Sequence, residues 1–142
     1  MRLKIPAFII AALGFIDAIY LVVIKIANNK ALCFISAGDC FSVNSSVYSE
    51  IWGFPIAGLG AGAYLVILAI LILGAKASWM ARLAPYLLFG ITLIGVIYSA
   101  YLTYLEIAVI KAICPFCVIS AICMFFLFII SILNLIQTPL EN

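Results

Sequence analysis

Two thiols three positions apart, Cys114 and Cys117 of the run Cys114-Pro115-Phe116-Cys117, are the densest chemistry in the chain. On a helix that spacing puts both on one face. Pro115 suits a first turn, where its missing N–H costs nothing. Helix starts and Cys-x-x-Cys spacing both favour the reactive thiolate. The pair can close into a small, strained and readily reduced disulfide. The blander reading is two buried thiols acting as small apolar residues. The coincidence of spacing, proline and helix start favours redox chemistry.

Three further cysteines complete the set of five. Cys33 and Cys40 enclose six residues, Gly38 among them. Such a pair can be a structural staple. The preferred reading is a shuttle that collects electrons from another protein and relays them to Cys114 and Cys117, as a flexible loop allows. A four-thiolate zinc clamp is chemically reasonable, but the first pair is widely spaced for it, and outer loops in oxidising compartments favour disulfides. Cys123 lies within an apolar run and reads as packing. The chain has no histidine, which removes the commonest general base and most zinc and copper sites.

The elements that must position these thiols are set by composition. Of 142 residues, 69% are hydrophobic and 8% charged, with a mean hydropathy of +1.41. A soluble domain needs far more charge to cover its surface. A net charge of +2, without a basic stripe, is no nucleic-acid signature. About 20 apolar residues cross a ~30 Å hydrocarbon core. Four segments qualify, at about 5–26, 55–73, 84–105 and 113–136. Helix is the spanning state that satisfies their backbone groups. The expected fold is therefore an all-α membrane bundle of four helices, read as one domain over 1–142, with no linker of Gly/Ser or Pro-rich character. The first span follows Arg2 and Lys4 but is too long for a signal peptide, and no small-residue cleavage site follows it.

The connections are unequal. Residues 74–83 and 106–112 read as short linkers, and 27–54 as a long redox loop in which Ser42–Ile51 can form a short interfacial helix. Four spans place both termini on one side. Arg2, Lys4, Lys76 and Arg82 lie there, against Lys25, Lys30 and Lys111 opposite. That weak positive-inside bias puts the termini in the cytoplasm and the thiols outside. Tyr20, Trp52, Tyr101 and Tyr104 gather towards the thiol side, and Trp79 and Tyr86 towards the other, as interfacial belts do. Gly58 and Gly62 have the spacing of close helix packing, with Gly60 between them. Asp17 sits mid-span, and a protonated carboxyl bonded to a neighbouring helix is preferred there over a proton relay.

A dithiol at a helix start, beside Phe116, Phe54 and aliphatic residues, suits a lipid-soluble oxidant. Quinone takes two electrons, matching one dithiol-to-disulfide conversion. At this point the residues resemble the vitamin K epoxide reductase family in its bacterial and archaeal form, over about residues 7–135. The resemblance is carried by Cys33 and Cys40, by Ser45-Ser46 after them, and by Tyr101-Leu102-Thr103-Tyr104-Leu105-Glu106 before Cys114-Pro115-Phe116-Cys117. It implies a bundle around a quinone of the ubiquinone or menaquinone type, without metal, with the thiols extracytoplasmic in a cell membrane. Cys117 would react with quinone, Cys114 would exchange with Cys40, and Cys33 would pair with Cys40 and meet the partner. Ser46 would support the loop and the site, where a helix cap is the plainer reading. Phe116, Ile56, Leu59, Gly60, Leu102 and Val43 are the candidate quinone contacts. Vertebrate members carry an Asn and a Tyr on vitamin K, and the matching positions here, Ile56 and Ala121, favour quinone over epoxide as substrate. Many bacterial relatives carry a fused thioredoxin-like domain, so the expected donor is a separate thioredoxin-like or DsbA-like protein. A DsbB-like protein differs in placing its Cys-x-x-Cys in the first outer loop. Quinone-epoxide reduction, and a non-catalytic membrane protein with stapled cysteines or a zinc clamp, are the alternatives.

Overall fold

The computed structural model of the chain describes residues 3–27, 47, 50–111 and 115–137. Among these, four helices are long and apolar enough to cross a membrane. They are α1 (Lys4–Ala27), α2 (Ile56–Lys76), α3 (Ser78–Leu105, extended by a π-helical turn over Glu106–Ile110) and α4 (Pro115–Gln137). Each helix packs on the next in the chain, and α4 closes the ring on α1. The expected all-α bundle of four membrane helices is what the structure shows.

Three connections differ from expectation, one of them the linker expected over 106–112, which continues α3 as the π-helical turn Glu106–Ile110. The linker expected over 74–83 reduces to Ala77, an extended residue at φ −114°, ψ 128° between α2 and α3. Hydropathy misplaces this boundary because Lys76, Ser78 and Arg82 look like loop, whereas polar residues at a membrane surface are compatible with helix. Ile51, placed in a possible interfacial helix, is instead extended. Strand β1 (Glu50–Ile51) pairs antiparallel with β2 (Phe54–Pro55), Ile51 opposite Phe54. The rest of that expected helix, apart from Val47 and Glu50, lies outside the described residues. Trp52 and Gly53 turn the hairpin with φ of 52° and 84°. Positive φ at both central residues matches the right-handed twist of the strands. Glycine adopts it freely, whereas a bulky residue does so against its Cβ.

The core explains the helix pairing. On α1 the buried residues are Ala7, Ala11, Gly14, Ala18, Leu21 and Ile24, at intervals of three and four. Ile5, Ile9, Leu13, Ile16, Val23 and Ile26 are exposed. From Ala7 to Ala18 the inner face is small and the outer face large, the pattern of a helix packing in lipid, where close backbone approach replaces the hydrophobic drive. Gly14 makes the tightest approach. A Cβ there would lie 2.3 Å from the Tyr64 ring. Tyr64 is therefore able to cross the bundle from α2 to α4, where its hydroxyl donates to the Ser120 carbonyl at 2.8 Å and lies 3.1 Å from Ser120 Oγ.

Towards the terminal side the bundle is filled. Thr92 and Ser131 join α3 to α4 through hydroxyls 3.1 Å apart. Each is also bonded within its own helix, Thr92 to Leu88 O at 2.6 Å and Ser131 to Phe128 O at 2.7 Å. Phe89 stacks on Phe128 beside them. Towards the other end the filling stops. α3 has no buried residue between Thr92 and Leu105, and α4 has none before Met124. The inward faces of those two stretches border a cavity.

Candidate functional site

The cavity has a volume of about 370 Å³, within the range of small-molecule pockets. It lies where α1 and α3 end and α2 and α4 begin. Ala18 and Leu21 of α1 and Ile51 of the hairpin form part of its wall. The hairpin is tied to α1 by an ion pair, Lys25 Nζ to Glu50 Oε1 at 3.1 Å. From α2 come Ile56, Ala57, Leu59, Gly60, Ala63 and Tyr64. The α3 wall runs through Ile91, Gly95, Tyr98 and Leu102, at intervals of four, three and four, which is one helix face. From α4 come Cys117, Ser120, Ala121 and Met124.

Pro115 is the first residue of α4, as its chemistry requires. Cys117 follows in the same turn, half-buried and on the cavity wall. Of the candidate quinone contacts, Ile56, Leu59, Gly60 and Leu102 share that cavity with Cys117. Phe116 turns elsewhere: its ring packs on Tyr20 of α1, centroids 4.9 Å apart. Phe116 is not among the residues that line the cavity, whereas Cys117 is. Val43, Ser46, Cys33, Cys40 and Cys114 lie outside the described residues. Cys123 packs on the hydrophobic core, as its position suggested.

Most of the wall is apolar, and its Tyr64 and Thr103 hydroxyls are engaged by other groups of the protein. Tyr64 binds Ser120, and Thr103 Oγ1 donates to Ser99 O at 2.9 Å. Ile56 and Ala121, the two positions expected to decide between quinone and epoxide, are both on the wall and both apolar. Gly60 contributes room, since a Cβ built on it meets nothing within 4 Å. An apolar chamber with open space beside a thiol fits a planar, lipid-soluble ring.

Glu106 is among the wall residues that sequence reasoning did not foresee, with Tyr64, Tyr98 and Ser120. The run 106–112 reads as a linker, in which an acid would be solvated. Instead Glu106 is 4% exposed and lines the cavity. The available signal was helical spacing: Glu106 lies four beyond Leu102, which lies four beyond Tyr98, so a helix continued past 105 carries the same face onward.

The chain matches the vitamin K epoxide reductase family over residues 5–132, and it belongs to that family. Membership supports a multi-pass membrane oxidoreductase associated with quinones and disulfide chemistry in general.

Proposed function

We propose that the chain is a membrane thiol–disulfide oxidoreductase that oxidises a thioredoxin-like protein outside the cytoplasm and reduces quinone. The observation that carries this reading is the placement of Cys117 in the first turn of α4, on the wall of an apolar cavity of about 370 Å³. In each turnover the Cys114 and Cys117 thiols lose two electrons and two protons and form one S–S bond. Quinone supplies the two-electron acceptor and leaves as hydroquinone. Cys117 is the thiol facing the ring. Cys114 exchanges with Cys40, and Cys33 and Cys40 carry electrons from the partner, with Ser46 supporting the loop. The apolar Ile56 and Ala121 favour a quinone of the ubiquinone or menaquinone type over its epoxide.

The test uses the purified protein in detergent, a short-chain quinone, and two donors: dithiothreitol and a reduced thioredoxin-like protein. Cys114→Ala and Cys117→Ala should each abolish hydroquinone formation with either donor. Cys33→Ala should spare turnover with dithiothreitol and impair it with the protein donor. Wild-type rates for all three variants would overturn the relay. One bound zinc per chain, lost on replacing the cysteines, would support the clamp instead.

A further inference from the structure

We infer that Glu106 is a catalytic residue of quinone reduction, an acid that gives a proton to a quinone oxygen and recovers it from the dithiol; this rests on the quinone reading above. A carboxyl group withdrawn from water in an apolar setting is costly, and one held within a membrane span is a functional candidate by default. Glu106 is 4% exposed, belongs to a helix that can span the membrane, and lines the same cavity as Cys117. Its direction is set by backbone. The π-helical turn begins at Glu106, and the Lys111 N–H donates to the Glu106 carbonyl from a left-handed residue at φ 57°. Within that turn Ile107 and Val109 are exposed while Glu106 is turned inward. Single π turns of this kind recur at functional sites.

Other proton-bearing groups share the wall with it. On the elements that line the cavity, the titratable groups on the wall are Tyr64 of α2, Tyr98 of α3 and Cys117 of α4. The α1 wall is Ala18 and Leu21, and the hairpin wall is Ile51. Lys111 is exposed, and Lys25 is engaged with Glu50. Among the described residues Glu106 is the one carboxyl on the wall.

The step balances. Two S–H bonds break, one S–S bond forms, and two electrons pass to the ring, on which two O–H bonds form. Glu106 gives one of those two protons to the oxygen it faces. It takes one back from the second thiol, so the carboxyl returns unchanged after each turnover. An acid placed at the reacting atom typically contributes between one hundred and ten thousand-fold.

The experiment is Glu106→Gln and Glu106→Asp in the purified full chain, with dithiothreitol and a short-chain quinone. E106Q should lower kcat by about 100-fold with little change in KM, and E106D should recover part of the loss. Wild-type kcat should fall as pH rises through the titration of one group, a limb that E106Q lacks. An infrared difference spectrum taken on adding quinone should show a protonated carboxyl band shifting in wild type and E106D, and absent from E106Q. Wild-type kcat and pH profile in E106Q would overturn the inference, as would a loss confined to KM. Should E106Q fail to accumulate, a wild-type spectrum without a shifted carboxyl band overturns it. Cys117→Ala separates the two readings. If C117A turns over normally, the quinone reading itself fails. If C117A is inactive while E106Q is normal, this inference alone fails.

Discussion

At the scale of single residues, the absence of one side chain shapes the chamber. Gly60 faces open space, so Gly60→Leu should project its side chain into the cavity. The helix itself should tolerate leucine, which propagates helix better than glycine by nearly 1 kcal/mol. The expected outcome is a KM for quinone raised about tenfold or more, equivalent to ~1.4 kcal/mol, with a melting temperature unchanged or higher. Steady-state kinetics and thermal unfolding in detergent check both halves. Tyr64→Phe should act in the opposite sense, removing the bond to Ser120 at a cost of about 1 kcal/mol in stability. Residues differ in how well the sequence shows them. Cys117 and Gly60 stand out because thiol spacing and small size are visible in one dimension. Tyr64 does not, because its role depends on Gly14, 50 positions away, leaving room for its ring.

At the scale of elements, the two tight glycines make a controlled comparison. Gly14→Ala puts a Cβ against the Tyr64 ring, which packs between helices and is tied to Ser120. Gly95→Ala puts one 2.7 Å from Met124 Sδ, near the end of a flexible side chain. Overpacking typically costs ~1–3 kcal/mol. G14A should show the upper part of that range or fail to assemble, and G95A less, because methionine can change rotamer. Unfolding midpoints of the two variants, measured side by side, test the difference. The helices themselves were legible from hydropathy, since lipid demands long apolar runs. Their ends were less so. Ser78 to Arg82 extends α3 by about a turn and a half through a stretch bounded by polar Ser78 and Arg82, and Glu106–Ile110 continues it beyond a residue that looks solvated. Composition reports where lipid must be met, whereas backbone hydrogen bonding decides where a helix stops.

At the scale of the whole molecule, hydropathy gives the number of spans, but four cations against three leave orientation poorly determined. The proposed chemistry needs the Cys117 end outside the cytoplasm. Lys111 and Lys76 are both exposed and lie at opposite ends of α3 and its turn. In intact cells, a membrane-impermeant maleimide should label Lys111→Cys above the level of the parent chain. Lys76→Cys should gain label only after permeabilisation. The reverse pattern would place the thiols in the cytoplasm and remove the extracytoplasmic donor.

The junction at Ala77 has a mechanical consequence for this assembly. One extended residue leaves no slack between α2 and α3, so at that end the two helices stay together. The cavity lies towards their other ends, and Leu59 and Ile94, one from each helix, line it while also facing outward, 50% and 69% exposed. The pair resembles tweezers pinned at Ala77, so an angular opening would widen the wall at the cavity end, where Leu59 and Ile94 meet the bilayer and the proposed quinone would enter.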